Sequence, residues 1–145
     1  MKNPMKSPDS GWALLDHTAD IRMEARGRTL ADLFENAALG LVDILVSDAA
    51  ISPKTEAALS LQEETSEELL VSWLREILYQ YQTAGLVLAS AEISEASEQK
   101  LAAKLVYGVP PEDCQPEVEI KGVTYHGLTV QAHDWGYSAR IVFDI

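Results

Sequence analysis

The chain has 145 residues, 47 % of them apolar, and eleven Lys and Arg against 23 Asp and Glu give a formal charge of −12. That length and apolar content suffice for one domain with its own core, and a charged fraction of 23 % argues against wholesale disorder. So acidic a surface repels a phosphate backbone and an anionic membrane, which argues against strong independent nucleic-acid binding and favours a basic protein partner or a metal ion, with solubility as the plain alternative.

Met1 to Ser10 reads as a loose tail ahead of a single domain over residues 11–145, and it lacks the apolar run of a signal peptide. No stretch is long and apolar enough to cross a bilayer, so a cytoplasmic protein is expected. Trp12 to Leu15 is a short apolar strand. In Ile21 to Arg26, Ile21, Met23 and Ala25 alternate with Arg22, Glu24 and Arg26, the period of a half-buried strand. The motif Asp16-His17-Thr18-Ala19-Asp20 lies at the junction between these two strands.

Thr29, with Asp32 three residues on, caps a helix whose apolar stripe (Leu30, Leu33, Phe34, Ala37, Leu41, Ile44) runs to about Val46. Ser47 to Lys54 is expected to be a turn, and Ala57 to Gln62 a short strand. Thr65 and Glu68 open a second helix with Leu69, Leu70, Trp73, Leu74, Ile77, Leu78 and Tyr81 on one face, and Gly85 closes it. At that spacing Trp73 and Tyr81 are core residues rather than a ligand platform.

The remainder reads as β. Leu86 to Ile93 and Leu101 to Tyr107 form a hairpin about the polar turn Ser94 to Gln99, and the proline-rich Gly108 to Pro116 is a loop. Glu117 to Tyr125 is the next strand, His126-Gly127 a tight break, Leu128 to Ala132 its continuation or partner, His133 to Gly136 a turn, and Tyr137 to Ile145 the last strand. Late strands joined by short turns favour an α+β domain, a mixed or antiparallel sheet with two helices on one face, over a doubly wound nucleotide fold.

The common enzyme fingerprints are missing. There is no P-loop, no glycine-rich dinucleotide turn and no nucleophile elbow; a single cysteine, with His126 and His133 seven apart, makes no zinc signature. Cys114 cannot form an internal disulfide, and only acids lie near it in sequence. What remains is a set of oxygens. Asp20 starts a strand, Asp144 lies in the last one, and Ile145 adds a terminal carboxylate. If folding brings these together the carboxylates repel, and Ca²⁺, Mg²⁺ or Mn²⁺ is the usual remedy. Equally, an aspartate before a strand commonly bonds its own backbone in a turn, His17 serves as a hydrogen-bonded structural group, and Lys121, following the apolar Ile120, is a solvated edge lysine.

Three blocks of residues resemble the archease family: Asp16-His17-Thr18-Ala19-Asp20 with Thr29 to Ala38, then Glu119 to Leu128, then Ala139 to Ile145. The resemblance runs from about Trp12 to the last residue. It implies a small α+β accessory protein, not itself a catalyst, that activates a GTP-dependent RtcB-type RNA ligase by promoting its guanylylation and multiple turnover in tRNA splicing and RNA repair. It also implies a divalent cation, Ca²⁺ before Mg²⁺ or Mn²⁺. Carried over position by position, the ligands fall on Asp20, Asp144 and Ile145, and the family's strand lysine on Lys121; Lys121 and His17 are then the candidates for acting on the partner. Gly122 departs from the resemblance, which leads one to expect alanine there. Two other functions stay open on the residues alone: a metal-dependent phosphoester hydrolase using Asp20 and Asp144, and a chaperone-like module for RNA-modifying enzymes.

Overall fold

A computed structural model describes residues 9–15, 20–47, 49–114, 116 and 118–145. Among these residues, seven strands and two helices follow in the order β1 (Gly11–Leu14), β2 (Asp20–Gly27), α1 (Leu30–Val46), β3 (Ser52–Gln62), α2 (Ser66–Ala84), β4 (Val87–Ala96), β5 (Lys100–Val109), β6 (Gly122–His133) and β7 (Gly136–Asp144). The α+β class and the two helices agree with the sequence reading. The strands divide into two sheets, β1-β2-β7-β6 and β3-β5-β4, and every pairing is antiparallel.

Both helices begin where their caps place them. The Asp32 N–H donates to Thr29 Oγ1 at 3.1 Å and the Glu68 N–H to Thr65 Oγ1 at 3.1 Å, each satisfying a first-turn donor that has no helical partner. Gly85 ends α2 in the left-handed region, φ 66°, with its N–H on the Gln80 and Tyr81 carbonyls. α1 packs on β1, β2 and β7 and also meets β4, while α2 packs on β6 and meets β3 and β4. One continuous core results. Trp73 is fully buried in it, its indole N–H donating to the Phe34 carbonyl at 2.8 Å, so it is a core residue and a tie between the helices. α1 comes close to the first sheet at Gly40, where a Cβ would meet Met23 Sδ and the Trp12 ring. Asp9 and Ser10 are held to the domain: Asp9 accepts from Arg28 Nε at 3.1 Å, and Ser10 Oγ from the buried Asn36 amide at 3.2 Å.

Four strand boundaries differ from expectation. β3 begins at Ser52 rather than Ala57 and takes in Pro53; it is an edge strand, where a missing N–H costs no ladder bond, and the register shifts between Pro53 and Thr55. β4 runs to Ala96 through the exposed Ser94 and Glu95, with a register shift there. β5 includes Gly108 and Val109 of the expected loop. β6 starts at Gly122, not Glu117, and passes through His126-Gly127 without ending. Between Thr124 and Thr129, five steps along β6 match only two along β7. Gly127 turns the resulting bulge at φ 76°, and a Cβ there would touch Val142 Cγ2 at 3.5 Å. No helix among the described residues is long and apolar enough to cross a membrane.

Candidate functional site

β2 opens on Asp20 and β7 ends at Asp144, and the antiparallel register sets the two directly opposite each other. Opposed residues in such a ladder have Cα atoms about 4.5–5.5 Å apart and side chains on the same face. The next pair, Ile21 and Phe143, is buried in the core. By alternation the two aspartates therefore stand on the opposite, open face of the sheet. Asp20 accepts from Arg22 Nε at 3.3 Å on that face. Asp144 has Gly122 as its partner on the other side, and a Cβ on Gly122 would lie 3.8 Å from Asp144 Oδ2. The glycine thus leaves open space beside a carboxylate, and an alanine would make only ordinary contact.

Lys121 precedes β6. Its N–H donates to the Asp144 carbonyl at 2.7 Å, and its side chain is exposed next to the buried Ile120. Helix α2 holds this segment in place. Gln82 Nε2 donates to the carbonyls of Ile120, at 3.2 Å, and Lys121, at 3.4 Å, and Arg75 Nη2 to that of Val123, at 3.0 Å. β6 is an edge strand, and these side chains satisfy carbonyls that have no neighbouring strand. Ile145 follows Asp144 directly, half-buried against the core. His17 and the rest of the Asp16 to Ala19 motif lie outside the described residues.

The donors that meet here are oxygens, which suits a hard divalent cation rather than zinc. Among the described residues no three His, Cys, Asp or Glu side chains converge. A cation held by Asp20 and Asp144 would take its remaining oxygens from main chain, water or a carboxylate on Ile145.

Beside Asp20 the open face carries a groove of about 500 Å³, lined by Leu15, Asp20, Arg22, His126, Arg140 and Val142 among others. The β6 bulge puts His126 there. Arg22 and Arg140 went unnoticed as site residues in the sequence; their signal was the even spacing from Asp20 and from Asp144, which places all four on one face. His133, at the far end of β6, contacts Ser138 Oγ at 2.7 Å and stacks on Trp135 with centroids 4.7 Å apart. Cys114 Sγ lies 3.3 Å from the Val46 carbonyl, in a part-buried contact.

The family model described as "Archease protein family (MTH1598/TM1083)" matches residues 12–145. Protein archease of Methanosarcina mazei is 34 % identical, with 97 % of this chain and 100 % of that one covered. Protein archease of Thermococcus kodakarensis is 36 % identical over 92 % of this chain and 98 % of that one. The solution structure of Methanobacterium thermoautotrophicum protein 1598 superposes with a TM-score of 0.75 at 26 % identity, covering 93 % of this chain and 99 % of that one. The crystal structure of a Thermotoga maritima archease, described as a possible chaperone, shares the fold with a TM-score of 0.62 at 21 % identity, over 99 % of this chain and 100 % of that one. A match over nearly the whole chain, together with relatives of more than 30 % identity, places it: the chain belongs to the archease family.

Proposed function

We propose that this protein is a non-catalytic accessory factor that activates a GTP-dependent RtcB-type RNA ligase, promoting the ligase's guanylylation and multiple turnover in tRNA splicing and RNA repair. The supporting observation is the pairing of Asp20 with Asp144 on an exposed sheet face, next to the segment that carries Lys121. In this reading Asp20, Asp144 and the Ile145 carboxylate hold a divalent cation, Ca²⁺ or else Mg²⁺ or Mn²⁺, which when bound supplies positive charge to phosphate oxygens. Lys121 presents a second cation to the partner, and His17, outside the described residues, is the other candidate for acting on it. The charge of −12 suits docking against a basic, RNA-handling cleft in a cytoplasmic ligase.

Reconstitution with a cognate ligase, GTP and Mn²⁺ tests the reading by following GMP attachment to the ligase. The protein accelerates attachment and allows more than one ligation per ligase; unchanged attachment and turnover refute the proposal. His126, in the same groove as Asp20, favours the hydrolase reading, since it could act as a general base. Turnover of a phosphoester by the pure protein with Mn²⁺, abolished in Asp20→Ala, would establish that alternative. Full stimulation of the ligase by the Asp20→Ala and Asp144→Ala variants would point instead to a chaperone-like module.

A further inference from the structure

The open face of the first sheet concentrates arginine in a protein that is otherwise strongly acidic. Arg22 faces Val142 across the β2–β7 ladder, and Arg140 stands two residues from Val142 on the same face, so the two arginines are diagonal neighbours about 7–8 Å apart. Both line the groove, and His126 reaches it from the bulge.

The ion pairing on this face is uneven. Glu24 is the register partner of Arg140, yet its carboxylate is held by Arg26 Nη2 at 3.0 Å. Arg140 is left with no ion-pair or hydrogen-bond partner among the described residues, and so is the His126 ring. Arg22 reaches Asp20 with one nitrogen, Nε, at 3.3 Å, and its side chain is 61 % exposed. A guanidinium unpaired among the described residues and a loosely paired one, beside an imidazole in a groove of ligand size, form a receptor for a compact oxyanion with several acceptor oxygens.

We infer that the groove between Arg22, Arg140 and His126 binds a phosphate monoester, the terminal phosphate of an RNA or of a nucleotide. This deepens the reading proposed above, because it names the chemistry taken up beside the Asp20–Asp144 pair, but the pocket itself needs only the arginines and the histidine. Asp20 couples the two sites. A cation that draws on Asp20 releases Arg22, so cation and phosphate each favour binding of the other. Without a cation, the Asp20 carboxylate competes with the phosphate for Arg22.

The test uses the whole protein without ligase. Arginine Nε–Hε and histidine ring resonances are followed by NMR during titration with inorganic phosphate, with GMP, and with a short RNA ending in a 3′-phosphate or a 3′-hydroxyl, in EDTA and again with Mg²⁺. Phosphate monoesters shift the Arg22, Arg140 and His126 signals, Mg²⁺ tightens the binding, and Arg140→Ala weakens it by about tenfold. Lys104→Ala, on the second sheet, leaves it unchanged. Asp20→Asn tightens binding in EDTA by freeing Arg22. Preference for GMP or for the 3′-phosphorylated RNA identifies the source of the phosphate. No shift of these signals at millimolar phosphate, or equal binding of the 3′-hydroxyl and 3′-phosphate RNAs, overturns the proposal. Asp144→Asn separates this idea from the metal reading: phosphate binding in EDTA persists in that variant whether or not its cation affinity changes, and its loss there would count against an arginine pocket.

Discussion

Asp20 and Asp144 lie 124 positions apart in the chain and on the same rung of the sheet, as register partners at the open end of the β2–β7 ladder. Like charges set directly opposite each other destabilise a strand pair by roughly 0.2–1 kcal/mol. A pairing that costs stability in the free protein is a natural place for a cation, and the same pairing gives the first prediction. Asp144→Asn raises the stability of the metal-free protein by up to about 1 kcal/mol while lowering divalent-cation affinity at least about tenfold. Urea unfolding in EDTA and calorimetric titration with Ca²⁺ check the two halves.

Extension of the chain bears on Ile145. If a carboxylate on Ile145 is one of the proposed ligands, adding one residue after Ile145 takes that ligand away. The outcome expected is weaker cation binding and weaker stimulation of the ligase, with the fold intact by circular dichroism. A tag placed before Met1 leaves both unchanged. Equal behaviour of the two tagged proteins would remove Ile145 from the site.

Docking should respond to salt. With a charge of −12, the proposed association with a basic ligase cleft would be driven partly by charges that ions screen, so affinity is expected to fall as ionic strength rises, chiefly through the association rate. Surface plasmon resonance across a salt series measures it. Binding indifferent to salt would exclude an electrostatic docking surface.

Tyr107 offers a test of the core at high pH. The residue is 2 % exposed, and its hydroxyl has no hydrogen-bond partner among the described residues. Burial, reinforced by the charge of Glu76, pushes its pKa up to about 12. The unfolded chain gives up this proton near pH 10, before the folded one does. The contribution is therefore intact below pH 10, and roughly 2 kcal/mol is lost as pH rises toward 12. Tyr107→Phe removes an unpaired buried hydroxyl, so it is neutral or stabilising by about 1 kcal/mol at pH 7, and it flattens the decline above pH 10. Denaturant midpoints at pH 7, 10 and 11 decide this.

Gly40 tests the packing between α1 and the first sheet. Valine there drives a branched side chain into Met23 and the Trp12 ring. Overpacking of this kind costs about 1–3 kcal/mol, despite the better helix propensity of any residue other than glycine or proline. Thermal unfolding reads the loss directly, and an unchanged midpoint would mean that α1 can shift away from β2.

Much of this architecture could be read from the residues alone, because its causes are local. The two helices, their Thr29 and Thr65 caps and the Gly85 stop follow from side chains that meet within one or two turns. The alternation in Ile21 to Arg26 assigned the buried and open faces of β2 correctly. Asp20 and Asp144 could be singled out as acids near strand ends, and the family resemblance assigned them a role.

Tertiary structure decided the rest. No local pattern announces that β3 begins at Pro53's neighbour Ser52, since an edge strand exposed on most of its length needs no alternation. Nor could periodicity tell a break at His126-Gly127 from a bulge; only pairing with β7 shows three residues too many on one side. That bulge is what carries His126 to the arginines. The partition into two sheets, the rung shared by Asp20 and Asp144, and the lack of an ion-pair partner for Arg140 among the described residues all depend on how distant segments meet. Composition and spacing specify which groups a chain owns and which way each faces along its own strand; which strands become neighbours is set by how the whole core packs, and the candidate site exists only between neighbours.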